Sequence, residues 1–153
     1  MRKSAVKSRL SLVLCLALLA AAALCSVSLA DKGSEKEIVM TGTKEAPVVL
    51  GEGKTAFLFQ VIGLEEKESW FEIHTDAADL GTALTENGLV AGDMSEEYGL
   101  FVNSVCGTEL TWSEETPYFW SLYVNDAPSD SEVSFVPVEP GVVYSYRVKT
   151  FTY

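Results

Sequence analysis

The chain has 153 residues, a length typical of one domain, and carries 22 Asp and Glu residues against 11 Lys and Arg, a formal net charge of −11. A field of this sign repels nucleic acid and anionic lipid, so we expect neither to be a partner. A net charge of this size also keeps a protein soluble and apart from its neighbours.

The first thirty residues have the pattern of a secretory signal peptide. Four cations occupy the first nine positions, and residues 10–24 are apolar apart from Ser11. Ser28 and Ala30 then place small residues three positions and one position before a cleavage site. This pattern assigns residues 1–30 to a signal peptide cleaved after Ala30 and predicts a secreted or cell-surface protein.

Two alternatives keep the chain on the membrane. The apolar run Leu10–Leu24 is near the shorter end of what spans a bilayer, so it can serve as an uncleaved anchor. Cys25 is a candidate for lipidation as in bacterial lipoproteins, although Leu24 stands where such sites have a small residue. Cleavage would leave no membrane insertion. It would also lower the net charge to −15, because seven cations remain against all 22 acids.

Residues 31–54 are predicted to form a tether and a first short strand. The tether is polar and contains glycine, and the strand candidate is Pro47–Leu50. The run Ala56–Ile62 is rich in aromatic and β-branched residues, as strands are. Ser69–Thr75 alternates between two faces. These two runs predict a hairpin at the start of a domain that covers residues 55–153.

One helix is predicted, over Ala77–Asn87. Asp76 is a good N-cap, and Asp79 holds the acidic position of a capping box three residues later. Apolar residues follow at the spacing i, i+3 and i+4, at Leu80, Ala83 and Leu84. Gly88 supplies the left-handed stop.

After the helix we expect a loop over Leu89–Glu97, a strand over Tyr98–Val105 and a turn that begins at Cys106. Cys106 is expected to be a small buried hydrophobe, since free Cys is among the most buried residue types. Val133–Val136 is expected as a short edge piece and Val142–Phe151 as the closing strand. Strands, one helix and further strands describe an α+β domain with the helix on one sheet face.

The stretch YFWSLYVND, from Tyr118 to Asp126, concentrates four aromatic residues within six positions. Strand alternation assigns one set to the core, namely Trp120, Leu122 and Val124. The opposite face carries Phe119 and Tyr123. Together with Tyr118 at the start of the strand, these two residues form a candidate binding edge.

No catalytic constellation is visible in the sequence. His74 is the only histidine and lies within a predicted strand, where a structural role is the common one. His74 and Cys106 alone cannot form a zinc set of the usual type. There is no phosphate loop, nucleophile elbow or calcium loop. The many carboxylates leave a paired-acid mechanism open on composition, but they fall mainly in turns. We therefore predict a protein that is not an enzyme and binds no metal.

Four motifs follow one another in the second half of the chain: LGTALTENG, YGLFVNSVCG, YFWSLYVND and a Pro-Gly turn before a Tyr-rich last strand. In this order they resemble the transcobalamin C-terminal-like domain family of secreted and surface proteins of Gram-positive bacteria. That family typically has Tyr-Gly-x-Tyr/Phe at its central strand and Tyr-Trp-x-x-Tyr-Val-Asn-Gly at the next. The resemblance covers about residues 55–153 and implies a β-grasp, ubiquitin-like fold with one main helix against a mixed sheet.

The sequence departs from the family pattern at two turns. Asp126 stands where the family usually has the Gly of Asn-Gly, and Cys106-Gly107 stands where Asn-Gly is common. Asn and Asp tolerate left-handed conformations better than other non-glycine residues, so we still expect a turn at Asp126. Neither departure touches an aromatic position.

The resemblance also implies a ligand. In the animal vitamin B12 carriers that the family resembles, this domain closes over cobalamin against a separate helical barrel. The present sequence contains no such barrel, so a corrinoid would contact one face only. By resemblance the contact residues are Tyr98, Phe101, Tyr118, Trp120 and Tyr123. Phe119 joins them by alternation, and Trp112 is expected in one open aromatic patch with Tyr98 and Tyr118. For Trp120 this interpretation competes with a place in the core.

Two hypotheses of function follow. The first is a secreted or cell-surface binding module for a corrinoid or another flat organic ligand, without a resident cofactor. The second is a structural or protein-interaction module of the cell envelope with no small ligand.

Overall fold

The computed structural model describes residues 42–110, 113–115 and 117–151. The predicted signal peptide, its alternatives at Leu10–Leu24 and Cys25, and most of the predicted tether lie outside these residues. Within the described ranges, no helix has the length and apolar character needed to cross a bilayer.

The described residues form nine strands and one α-helix. In chain order these are β1 (Val48–Gly51), β2 (Thr55–Ile62), β3 (Glu68–Thr75), α1 (Leu80–Glu86), β4 (Val90–Ser95), β5 (Gly99–Val105), β6 (Thr108–Glu109), β7 (Tyr118–Val124), β8 (Ala127–Pro128) and β9 (Val143–Thr150). Two short 3-10 turns cover Leu64–Glu66 and Val133–Phe135. Mixed sheets with one short α-helix make this part of the chain α+β or mainly β, and the predicted α+β class is one of these two.

The larger sheet has six strands in the order β1-β3-β2-β9-β7-β8. β2 and β3 form the predicted antiparallel hairpin, with Phe59 opposite Phe71. β9 runs parallel to β2 on one side and antiparallel to β7 on the other. The last strand in the chain therefore lies inside the sheet and joins the N-terminal hairpin to the strand YFWSLYV.

A second, antiparallel sheet has three strands in the order β4-β5-β6. The prediction of a loop over Leu89–Glu97 is wrong, because residues 90–95 form β4 and pair with β5. Four of the six β4 residues are exposed, so the strand lacks the apolar alternation that reveals strands in a sequence. A register shift between Ala91 and Gly92 interrupts the pattern further.

The helix begins at Leu80, three residues later than predicted. Its N-cap is Asp79, whose Oδ1 accepts a hydrogen bond from the Thr82 backbone N–H at 2.8 Å. Asp76, the predicted N-cap, instead accepts from the Lys54 backbone N–H at 2.9 Å. The residues between these two aspartates are held outside the helix by backbone bonding to the segment around Pro137.

The helix ends as predicted, at a left-handed glycine. Gly88 has φ +67, and its N–H donates to the Thr85 carbonyl at 2.9 Å. The Leu89 N–H donates to the Leu84 carbonyl at 3.0 Å. This pair of bonds is the Schellman motif, and the buried side chains of Leu84 and Leu89 provide its usual apolar contact.

An Asp79→Ala variant is expected to lower the free energy of unfolding by about 1 kcal/mol, because the N-cap hydrogen bond to Thr82 is lost. Urea denaturation followed by circular dichroism measures this loss. The exposed Asp130→Ala variant is the matched control and should change the unfolding midpoint little. Equal effects of the two substitutions would contradict the assignment of the cap.

A single apolar core joins the inner faces of both sheets and the helix. Its largest fully buried side chains include Phe57, Phe59, Phe71, Ile73, Leu80, Leu84 and Tyr144. The segment Val133–Val136 is not the edge piece that we predicted. It is a 3-10 turn that inserts Val133 and Val136 into this core.

Two-residue turns occupy both positions at which the sequence departs from the family pattern. Asn125 and Asp126 have φ of +47 and +66, so the expected turn forms without glycine. Cys106 has φ +49 and begins the turn between β5 and β6. The prediction that Cys106 is buried is wrong, because its side chain is exposed on this turn.

Candidate functional site

An apolar groove of about 340 Å³ lies where β5 of the small sheet approaches β7 and the end of β9. Its lining residues are Phe101, Val102, Leu110, Tyr118, Phe119, Trp120 and Phe151. All seven side chains are apolar or aromatic. The structure therefore brings together four of the predicted contact residues: Phe101, Tyr118, Phe119 and Trp120.

The walls of the groove are set by strand alternation. On β5, Leu100 and Val102 are buried, whereas Phe101 lies on the opposite face and is 62% exposed. On β7, Tyr118 is 37% exposed at the start of the strand, as the candidate binding edge requires. β8 pairs with β7 only at Tyr123 and Val124. Among the described residues, no strand therefore covers the edge of β7 at its groove end.

Trp120 is both a core residue and a wall of the groove. Its side chain is only 8% exposed, which fits the alternation argument. The indole Nε1 donates to the Thr108 carbonyl of β6 at 3.1 Å. This bond satisfies the polar end of a buried ring and ties the small sheet to β7.

Phe151 is a groove residue that the sequence analysis missed. Its ring stacks on Phe119 with centroids 4.4 Å apart and an interplanar angle of 29°. The Phe151 N–H donates to the Pro117 carbonyl at 3.0 Å, which fixes the chain beyond β9. Leu110 was missed as well. The register of β7 against β9 would have indicated Phe151, because Tyr118 pairs with Thr150, but a register between distant strands cannot be read from one sequence.

Two other predicted contact residues do not line the groove. Tyr98 is exposed in the turn between β4 and β5. Tyr123 lies on the outer face of the large sheet, where the Arg147 guanidinium carbon is 4.3 Å from its ring centroid. Lys149 Nζ lies 5.6 Å from the same centroid. Trp112 lies outside the described residues.

Arg147 is held by a polar network on the outer face of the large sheet. Its guanidinium donates to the Asp126 carboxylate, to Gln60 Oε1 at 3.4 Å and to Ser145 Oγ at 3.1 Å. These bonds hold the Arg147 side chain in place. Asp126, at a turn position where the family pattern has glycine, supplies one of the acceptors. The network is structural and separate from the groove.

Other polar groups offer little chemistry within the described residues. His74 Nε2 lies 2.7 Å from Glu72 Oε1, and both side chains are half-exposed neighbours on β3. No group of three or more His, Cys, Asp or Glu in this part of the chain could hold a metal ion. The groove itself is lined by aromatic and aliphatic carbon, which suits a flat and weakly polar molecule.

No protein-family model matches the sequence, and neither does any curated protein. Among solved structures, the chain is similar to a protein from Ruminococcus gnavus ATCC 29149 that is provisionally described as metal-binding. The two are 27% identical, with a TM-score of 0.58 over 65% of this chain and all of that one. The chain is also similar to haptocorrin, solved in complex with Cbi, with 10% identity and a TM-score of 0.51. That match covers 67% of this chain and 27% of the haptocorrin chain, so it concerns about a quarter of haptocorrin and shows a shared fold.

Proposed function

We propose that this domain is a secreted or cell-surface binding module of the transcobalamin C-terminal type and not an enzyme. Its apolar groove takes one face of a flat organic ligand, and a corrinoid is the leading candidate. The observation that carries the proposal is the meeting of Phe101 of β5 with Tyr118, Phe119 and Trp120 of β7 in one groove, although the two strands belong to different sheets.

The sheet topology supports the β-grasp part of this proposal. A β-grasp domain has an N-terminal hairpin, a helix, and a last strand inserted beside the first strand of the hairpin. Here β2 and β3 form the hairpin, α1 follows, and β9 lies parallel to β2. The similarity to haptocorrin in complex with Cbi supports the choice of a corrinoid as the first ligand to test.

The size of the groove sets the expected mode of binding. Its volume of about 340 Å³ is at the lower end of the ~300–1,000 Å³ that small-molecule pockets span. A corrinoid macrocycle would therefore rest one edge or face in the groove while much of its surface stays in water. We expect a dissociation constant in the micromolar range, on the order of 1–100 μM.

A Phe101→Ala variant is expected to weaken binding of dicyanocobinamide about tenfold, because one exposed ring face of the groove is removed. Titration calorimetry of the full chain measures the change, with cyanocobalamin as a second ligand. Phe135→Ala is the matched control: Phe135 is 61% exposed, close to the 62% of Phe101, but does not line the groove. Equal losses in the two variants would contradict the site.

The alternative function is a structural or protein-interaction module, and two observations favour it. The edge of β7 at Tyr118 is uncovered among the described residues, and the large side chains Met94, Tyr98 and Phe101 are exposed on or beside the small sheet. Open strand edges and apolar patches are typical of surfaces that bind proteins. The absence of binding heat with either corrinoid over a wide concentration range would favour this alternative.

A further inference from the structure

The charges of this protein are strongly segregated along the chain. Between Lys67 and Arg147 the sequence has no Lys or Arg but contains 15 Asp or Glu residues. This span includes all of β3, the helix, the whole small sheet and β7. Of the described residues, five are Lys or Arg and 19 are Asp or Glu, and all five cations lie before β3 or on β9.

The groove lies at the border of this anionic span. All of its lining residues except Phe151 come from the span without cations. Lys149 pairs across the sheet with Phe119 and is the cation nearest to the groove by register. Its Nζ lies over the Tyr123 ring and Lys149 does not line the groove, but its single charge is within a Debye length of Phe119 and partly offsets the acidic residues described next.

Two acidic residues lie close in sequence to residues of the groove. Glu114 and Glu115 are exposed and fall between Leu110 and Tyr118, both of which line it. Glu115 is three residues from Tyr118, so their Cα atoms are at most about 11 Å apart. That separation is comparable to the Debye length of ~8–10 Å at physiological ionic strength, so carboxylates at these two positions can act on a charge bound in the groove.

We infer that the groove selects a flat ligand that carries positive charge, an inference that rests on the proposed function of the same site. Aromatic ring faces attract cations through their quadrupole, and the groove presents four predicted aromatic contacts and Phe151. The anionic surroundings add a screened Coulomb attraction and raise the local concentration of cations. Ring faces and field therefore favour the same ligand class: an organic cation with a planar, apolar body.

The small size of the groove decides between a small cation and a basic polymer. A basic polymer would bind to carboxylates spread over the whole surface. The apolar groove, by contrast, has a volume of only about 340 Å³. Such a volume suits one ring system and its charge. We therefore expect a small organic cation in the groove. A lysine-rich peptide represents the basic polymer in the test below.

The test uses acridine and N-methylacridinium, two planar tricyclic probes that differ by a methyl group and one positive charge. Fluorescence titration of the full chain at neutral pH and low ionic strength should show N-methylacridinium binding about tenfold more tightly. At about 1 M salt, where the Debye length falls to ~3 Å, this preference should shrink to a few-fold. Phe101→Ala should weaken both probes.

Two charge variants localise the effect. E114Q/E115Q should reduce the preference for N-methylacridinium about threefold by removing two carboxylates near Tyr118. The matched control is E52Q/E139Q, which removes two exposed carboxylates at the opposite end of the large sheet and should leave the preference unchanged.

The outcomes separate the two proposals. Failure of both acridines and both corrinoids to bind would overturn the proposed function of the groove. Equal binding of acridine and N-methylacridinium, lost in Phe101→Ala, would leave that function standing and overturn the preference for a cation. Equal effects of the two double variants would overturn the role of the nearby carboxylates. Displacement of N-methylacridinium by oligolysine at a lower concentration than acridine requires would overturn the assignment of a small ligand.

Discussion

A Phe59→Ala variant is expected to lose about 4 kcal/mol of unfolding free energy. Phe59 is fully buried on β2 and packs against two rings, Phe71 at a centroid distance of 6.1 Å and Tyr146 at 6.3 Å. Removing a buried Phe ring costs the transfer free energy of its atoms and leaves a cavity, in total about 3–5 kcal/mol. Because domains of this size are stable by only ~5–15 kcal/mol, the loss should shift the urea midpoint strongly.

The control for this variant is Phe135→Ala, in which the same atoms are removed from a side chain that is 61% exposed. We expect its unfolding free energy to change by no more than about 1 kcal/mol. If Phe59→Ala does not fold, Phe59→Leu provides the measurement with a smaller loss of about 1–2 kcal/mol. A Phe59 variant as stable as the Phe135 control would contradict the position of β2 in the core.

A Gly92→Ala variant is expected to lose about 2 kcal/mol and to disturb the groove as well. A Cβ at Gly92 would lie 1.8 Å from the Phe101 carbonyl oxygen, so β4 or β5 must shift. Phe101 lines the groove, and such a shift moves its ring. Urea denaturation should show the loss of stability, and titration with dicyanocobinamide should show weaker binding.

Gly63→Ala is the matched control for this effect. Gly63 has φ −82, and its nearest neighbour would lie 3.8 Å from an added Cβ, at the Lys67 carbonyl oxygen. The substitution should be neutral or slightly stabilising, because alanine restricts the unfolded chain. Unchanged stability and binding in Gly92→Ala would show that the small sheet is not paired as described.

Sequence patterns predicted the strands that have one buried face. The runs of β2 and β3 contain aromatic and β-branched residues at alternate positions, and burial follows that alternation at Phe57, Phe59, Phe71 and Ile73. The stop of the helix was predictable for a similar reason, since the left-handed conformation at Gly88 favours glycine. A structural element can be predicted from the sequence where a local requirement is met by one residue type, such as glycine, or by one repeat of apolar residues, such as strand alternation.

The failures arose where the deciding contact is distant in the chain. Asp76 and Asp79 are equally good caps by local criteria, and the choice between them depends on Lys54 and on the segment near Pro137. β4 has no apolar face, and its extended conformation is stabilised by backbone pairing with β5. Cys106 lies at a turn position with positive φ and is exposed there, although free Cys is buried on average.

The candidate site was predictable only in part for the same reason. Alternation identified Phe119 as outward-facing and Trp120 as inward-facing on β7, and the structure places both on the groove. Whether Phe101 or Tyr98 joins them depends on how the small sheet packs on β7, which no local pattern encodes. Phe151 depends on the register of β9 against β7.

The interior position of β9 has a consequence for the order in which the domain can fold. Leu58 of β2 pairs with Val143 of β9, 85 positions later in the chain. Until β9 is available, no strand joins the N-terminal hairpin to β7. During synthesis from the N-terminus, β9 is the last of the described strands to be made. Contacts between such distant segments carry a high loop-closure cost and place folding in the slow range of roughly milliseconds to seconds. We therefore expect the sheet to be completed in a late step of folding, when β9 pairs with β2 and β7.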